Sequence, residues 1–391
     1  MIPRGFLFSA VEANIKKPGR KDLALIFSES VANVAGVFTT NRIKAAPIIL
    51  NMKRIRSNKG QAILVNSGNA NACNGKRGIM DAIEMSNHVA KYLDIKPSLV
   101  YVSSTGVIGT PMPMERIRLK IPELVKRLGG STVEEVAEAI MTTDKFSKVV
   151  KKGIKIKDKD CAIVGICKGA GMICPKMATM LCFIITDVNV DGDILDRELR
   201  MAVDNSFNKI TVDGDMSTND MVMIMANGRA ENDIINKGSK YLSDFREVLL
   251  DVTYELSKMI VRDGEGATKV IEVEVRNAKT KNDAEKCAFA VANSNLVKTA
   301  IHGGDSNWGR IMSALGYSGA NVNENEIDIM MGDILIVKNG VGTGNDEKAN
   351  IYLKNKEIKL IIDLHKGSHS TRVLTCDLSE EYIRINASYR S

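Results

Sequence analysis

The chain has 391 residues, 44% of them hydrophobic and 26% charged, with a formal net charge of +7. This is an ordinary composition for a folded protein of two or three domains, and it argues against disorder. The modest positive charge is spread along the chain and disfavours nucleic acid as a partner. Apolar runs stop well short of the ~20 residues of a bilayer span, and the N-terminal apolar stretch is too short for a secretory signal, so a cytoplasmic protein is expected.

In chain order, the segments LALIF, GVFTT, APIIL and QAILVNSG read as strands, each apolar and bounded by turn residues. A helix is predicted from Met80 to Leu93, then the strand LVYVSSTG, then helices near Met114 to Leu128 and from Val133, the latter opened by a capping box of Ser131 and Glu134. The runs AIVGICKGAGMI and TMLCFIITDVNV are rich in β-branched residues and read as adjacent buried strands. Helices are expected at Leu195 to Phe207 and Phe245 to Val261, with the strand MVMIMANG between them. From KVIEVEVRNA onward come a helical stretch from Ala284 to Ile301, a short helix from Trp308 to Leu315, and short strands separated by turns such as Asn339-Gly340. The fold expected is α/β (α+β), a layered sheet sandwich covered by helices over residues 1–277, with a smaller α+β domain over 278–391.

Seven cysteines, an odd number without an export signal, argue against a disulfide framework. Cys161, Cys167, Cys174 and Cys182 lack a C-x2-C pair and sit among apolar neighbours, as small core residues do, so no zinc site is expected. His365 and His369 are four apart, but Gly367 between them and the strand-like surroundings argue against a helical metal site.

The stretch CPKMATMLCFIITD, residues 174–187, places a small Ala178 before Thr179 at the mouth of a buried strand. A lone threonine there is ordinarily a β-branched residue suited to a pleated surface. The chemical alternative is a hydroxyl that attacks the preceding carbonyl, turning amide into ester for water to cleave. The freed Thr179 would then carry its own general base, an α-amine with an unperturbed pKa of about 7.7–8.0. Spacing alone does not choose between these readings.

KMATML, VNSGNANACNG (65–75), SSTGVIG (103–109), ITVDGDMSTND (210–220), GEGATK (264–269) and GGDSNWGRI (303–311) occur in the order in which they stand in the ornithine acetyltransferases. With GVFTTNRIKAAP near the start and INASYRS at the end, the chain resembles that family, the glutamate N-acetyltransferases of the cyclic arginine pathway, along essentially its whole length. The resemblance implies the N-terminal-nucleophile-like fold of the family and self-cleavage between Ala178 and Thr179, giving an α chain (1–178) and a β chain (179–391), with two of each assembling as a heterotetramer. It implies that Thr179 takes acetyl from N-acetylornithine and passes it to glutamate, with Thr105 and Gly106 stabilising the oxyanion. Thr142, Lys168, Thr179, Glu265, Asn386 and Ser391 are implied to contact substrate.

The residues suit these implied roles. The missing side chain of Gly106 allows close approach of its N–H. Lys168, 11 residues before Thr179, ends a strand whose hairpin-like return would bring it beside the nucleophile, to hold a carboxylate or depress the pKa of the Thr179 amine. Glu265, between glycines, would meet an ammonium group, and the tail NASYRS would fold over the Thr179 cleft and exclude water. The loops DGDMSTND and GGDSNWGRI match neither an EF-hand nor a P-loop, so they are expected to be turns supporting the site, with Trp308 a packing anchor and no cofactor or metal.

The chain departs from the family pattern in three places: Cys174-Pro175-Lys176 stands for His-Pro-Asn, Cys182 for a glycine, and Met216 for a threonine. Their effect is expected on the rate of self-cleavage, since the nucleophile, the oxyanion pair, Lys168 and Glu265 are retained. Alternatives are a bifunctional enzyme that also uses acetyl-CoA, a self-cleaving aminopeptidase of related fold, and a non-enzymatic scaffold that stays uncleaved.

Overall fold

A computed structural model describes residues 1–16, 18–174 and 180–387. They form two compact units, the first mainly residues 1–172, 180–208 and 215–260, the second mainly 173–174, 209–214 and the chain from 261 onward. No helix among the described residues is long and apolar enough to cross a membrane.

The first unit runs β1 (Phe6–Val11), β2 (Leu23–Phe38), α1 (Ala46–Arg54), β3 (Lys59–Asn69), α2 (Gly75–Leu93), β4 (Val100–Val107), α3 (Met114–Lys126), α4 (Val133–Ala139), β5 (Lys148–Ile156), β6 (Lys159–Lys168), β7 (Leu181–Thr186), α5 (Gly192–Asp204), β8 (Met221–Ala226) and α6 (Leu242–Arg262). Its eight-stranded sheet has the order β4-β3-β2-β8-β7-β6-β5, with β1 also paired to β2. Strand alternation sends Leu23, Leu25, Leu64, Val100 and Val102 into one core with Met85, Val89, Ile117 and Ile121 of α2 and α3. The intervening Ala24, Ile26, Ile63, Val65 and Tyr101 join a second core with Val133, Val136 and the methionines of β8. Each such aliphatic side chain removed from water stabilises the fold by about 1.5–3 kcal/mol, which fixes the strand register, because a slip of one residue would exchange the two faces.

The second unit runs β9 (Val270–Ala278), α7 (Lys281–Ala292), α8 (Asn295–Gly303), α9 (Trp308–Tyr317), β10 (Asp328–Met331), β11 (Ile334–Lys338), β12 (Val341–Gly342), α10 (Asp346–Tyr352), β13 (Glu357–Asp363), β14 (His369–Cys376) and α11 (Glu380–Ala387). Its sheet order is β12-β11-β10-β13-β9-β14. Ile271, Val273 and Val275 of β9 pack with Ala284, Cys287, Ala288 and Val291 of α7, and Trp308 packs against this core.

Several expectations change. APIIL belongs to helix α1, because Pro47 occupies its first turn, where a fixed φ and a missing N–H suit a helix start. LALIF and the first three residues of GVFTT are the two ends of one strand, β2, whose register shifts between Phe27 and Ala32. The capping box on α4 is one residue later than expected, with Thr132 and Glu135 exchanging both bonds. Strand β5, KVVKKGIKI, has no counterpart in the sequence reading, and the stretch from Ala284 to Ile301 is two helices because Ser294 caps α8. Strand β9, placed by the sequence at the end of the first domain, pairs with β13 and β14, so the division falls near residue 261 rather than 277.

Candidate functional site

In the first unit, strands β3 and β4 run parallel with Ser67 opposite Thr105 and Gly68 opposite Gly106, and the register shifts just beyond, at Asn69. Gly106 has φ +132°, and a Cβ built on it would lie 2.3 Å from the carbonyl carbon of Gly68. Glycine is therefore required by both conformation and space. Thr105, buried at the same strand end, precedes it.

Lys168 ends β6 and stands opposite Leu181 of β7 in an antiparallel pair, so the expected hairpin-like return forms. Leu181 lies two positions beyond Thr179; Ala178 and Thr179 lie outside the described residues. Met180 is held on both sides, its N–H donating to Asp220 Oδ1 (3.1 Å) and its carbonyl accepting from the Met221 N–H (3.1 Å). The neighbouring Asn219 donates through Nδ2 to the carbonyls of Ala70 and Ser104, each at 2.7 Å. Two consecutive residues of DGDMSTND thus join the start of β7 to the strand end carrying Thr105 and Gly106.

Thr142 and Lys168 meet at a carboxylate the sequence reading did not single out. Asp144 accepts from the Thr142 N–H (2.9 Å), the Gly169 N–H (2.7 Å) and Lys148 Nζ (2.8 Å), with Lys168 Nζ 3.9 Å away. Burial alone would push this carboxyl up. The two lysines and the N–H donors outweigh it and hold Asp144 well below the usual carboxylate range. A buried carboxylate carrying two lysines and two backbone donors is a rigid anchor, since removing one partner of a buried pair ordinarily costs about 3–5 kcal/mol.

Asp220 is the opposite case. Burial pushes its carboxyl well above the ordinary range, against the opposing pull of the Met180 N–H, the Ser217 and Thr39 hydroxyls and the charge of Lys168. Its Oδ2 has no hydrogen-bond partner among the described residues. A carboxyl with a raised folded-state pKa contributes stability that is present at low pH and lost as pH rises from its unfolded value toward its folded one. Asp220→Asn is therefore expected to be more stable than the parent at pH 7, with the gain vanishing near pH 4. Urea unfolding of both proteins at the two pH values checks this; equal stability at pH 7 would contradict it.

In the second unit, Glu265 is buried and accepts from Asn386 Nδ2 of α11 at 2.8 Å. A Cβ on Gly266, whose φ is +72°, would lie 2.5 Å from the Tyr382 backbone nitrogen, so this glycine lets the loop carrying Glu265 meet the start of α11. Ser391 lies outside the described residues. Of the departures, Cys182 is buried opposite Cys167 in the β6–β7 pair, its thiol pushed well up by burial and then by that neighbour. Met216 offers its carbonyl to Asn41 Nδ2 at 3.1 Å.

Sequence reasoning missed Asp144, Lys148, Asn219 and Asp220. The available signals were the i,i+4 pair in DKFSK and the run of polar residues entering a wholly apolar strand in STNDMVMIMA.

The ArgJ family model matches residues 7–391. The chain is 52% identical to the arginine biosynthesis bifunctional protein ArgJ of Geobacter sulfurreducens, with 100% of both chains covered. It is 48% identical to the protein of the same name from Thermotoga neapolitana, again over 100% of each. Among solved structures, the arginine biosynthesis bifunctional protein of Bacillus halodurans is 45% identical with a TM-score of 0.51, the match covering 53% of this chain and 98% of that one.

Proposed function

Because the chain belongs to the ArgJ family, we propose that it is a glutamate N-acetyltransferase of arginine biosynthesis that matures by cutting itself between Ala178 and Thr179. In maturation, Thr179 Oγ attacks the Ala178 carbonyl carbon, the C–N bond breaks as nitrogen takes up a proton, and water hydrolyses the resulting ester. The products are the Ala178 carboxylate and a Thr179 α-amine. In turnover that amine takes the hydroxyl proton as Oγ attacks the acetyl carbonyl of N2-acetylornithine, then delivers it to the departing ornithine nitrogen. The glutamate amine attacks the acetyl ester and the same proton movements return Thr179. Thr105 and the Gly106 N–H receive the oxyanion in both steps. Thr142, Lys168, Glu265, Asn386 and Ser391 are assigned to substrate binding by their match to the family.

The observation that carries the reading is the Asn219–Asp220 link, which ties the residue after Thr179 to the strand end bearing Thr105 and Gly106. The solved Bacillus halodurans chain supports cleavage. It is 98% covered by 53% of this chain, too long for residues 1–178, which are less than half of the total, and about the length of 179–391. A second activity, acetyl transfer from acetyl-CoA to glutamate, is favoured by the name bifunctional carried by the relatives at 52% and 48% identity. The mature protein is proposed to be cytoplasmic, with two α and two β chains.

Intact-mass measurement with N-terminal sequencing, followed by acetyl exchange from N2-acetylornithine to glutamate, tests the proposal. Two pieces, one beginning Thr-Met-Leu-Cys, together with exchange are expected; a single uncleaved chain, or hydrolysis of aminoacyl anilides without exchange, would overturn it.

A further inference from the structure

After β1, Ile15 and Lys16 lie over Gly68, the β3 residue opposite Gly106. Asp22 pins this stretch, its carboxylate accepting from the N–H groups of Ala13 (2.7 Å), Ile15 (2.6 Å) and Lys16 (2.9 Å). The stem of Lys16 then lies on Gly68, where an added Cβ would be 2.9 Å from Lys16 Cγ. Gly68 in turn is the residue against which Gly106 packs. At the far end of the stem, Lys16 Nζ donates to the carbonyl of Ala139 (3.2 Å) and to that of Met141. Ala139 is held a second time by Ser67 Oγ of β3 (2.5 Å). The residue after Met141 is Thr142, whose own N–H is fixed by Asp144. One side chain therefore spans from the oxyanion strands to the loop that presents Thr142.

We propose that Lys16 is a positioning residue for substrate binding, an ammonium strap that holds the 139–142 segment against the β3–β4 strand end so that Thr142 is presented in register with Thr105 and Gly106. The proposal rests on the acetyl-transfer reading of the site. A lysine suits the role because a charged donor to two carbonyls makes stronger bonds than a neutral one. The same choice makes the strap sensitive to pH. Burial lowers the Lys16 ammonium to about 8, Asp22 opposes this, Lys168 adds to it, Asp144 opposes it and Arg20 adds to it. These are the charged groups that face it, from its own loop, from the end of β6 and from the segment after α4. Below pH 8 the strap is charged and tight, and above it the amine discharges and weakens its hold on the carbonyls.

The test uses the self-cleaved enzyme and steady-state acetyl exchange between N2-acetylornithine and glutamate. Lys16→Met is expected to raise KM about tenfold at pH 7 with kcat within threefold of the parent. The parent is expected to show a rise in KM between pH 8 and 9.5, and Lys16→Arg, which keeps a donor that cannot discharge, is expected to retain the parent KM at pH 7 and to lose that rise. A structural role alone would not move that alkaline limb. Parent-like KM in Lys16→Met, or the same alkaline limb in Lys16→Arg and parent, would overturn the proposal. Should Lys16→Met fail to fold, the arginine comparison decides by itself. A parent enzyme without exchange activity would instead defeat the functional reading, before any variant is compared.

Discussion

Thr179→Ala is expected to run as one chain of 42.7 kDa and to transfer no acetyl group above background, a loss of at least about 10⁴ in kcat/KM. Both consequences follow from one missing oxygen. Without Oγ nothing attacks the Ala178 carbonyl, so the amine that would serve as base is never released, and there is no atom to carry the acetyl ester. The fold itself should be indifferent, because the anchors of the neighbouring backbone are elsewhere. The Met180 N–H and carbonyl are held by Asp220 and Met221, and Lys168 keeps its place opposite Leu181 through the β6–β7 register. An unchanged melting temperature with abolished processing is thus the expected pair of results. Thr179→Ser retains the nucleophile and is expected to cleave, more slowly because it lacks the methyl group that restricts χ1. Mass spectrometry of the purified proteins reads cleavage and exchange assays read transfer; measurable acetyl exchange by Thr179→Ala would show that another group carries the acetyl.

The elements that position this chemistry were legible where side-chain alternation and turn residues agreed. QAILVNSG falls within β3, and LVYVSSTG from its second residue within β4, and the hairpin return of Lys168 follows from two apolar runs separated by a connection containing Gly169 and Gly171. They were illegible where one residue type serves two purposes. APIIL reads as an apolar strand, yet its Pro47 lies in the first turn of a helix whose Asn51 is bonded to Val102 of β4. In KVVKKGIKI the lysines hide an alternation that buries Lys148, Val150, Ile154 and Ile156, and the first of these is a lysine paired with Asp144. The polar anchors share that difficulty. Asp144, Asn219 and Asp220 are ordinary loop residues in sequence, and each role depends on at least one distant partner, such as Gly169 for Asp144, Ala70 for Asn219 and Met180 for Asp220. Thr105, Gly106, Thr142, Lys168, Glu265 and Asn386 were reached through resemblance, since their local sequence reads equally well as turns and strand ends.

Gly106→Ala is expected to have the second-largest effect, a fall in kcat of about 10²–10³ with a smaller change in KM. The reasoning is steric before it is catalytic. A methyl group at residue 106 would have to occupy a point 2.3 Å from Gly68 C and 2.6 Å from Asn69 N, both backbone atoms of the paired strand. Neither can rotate away as a side chain would, so β4 must move off β3 at the position where Ser67 pairs with Thr105. The shift carries the Gly106 N–H and the Thr105 hydroxyl with it, and as the proposed oxyanion donors they would be displaced by a fraction of an ångström and no longer meet their target. Gly109 supplies the control. Its φ of +78° also disfavours an L side chain, but nothing lies within 4 Å of its would-be Cβ. Gly109→Ala should therefore share the cost of backbone strain, about 1 kcal/mol in unfolding free energy, while leaving kcat within threefold of the parent. Paired measurements of kcat and urea unfolding separate the two contributions. Equal kcat losses in Gly106→Ala and Gly109→Ala would mean that strain, rather than the close approach of the two strands, sets the requirement for glycine.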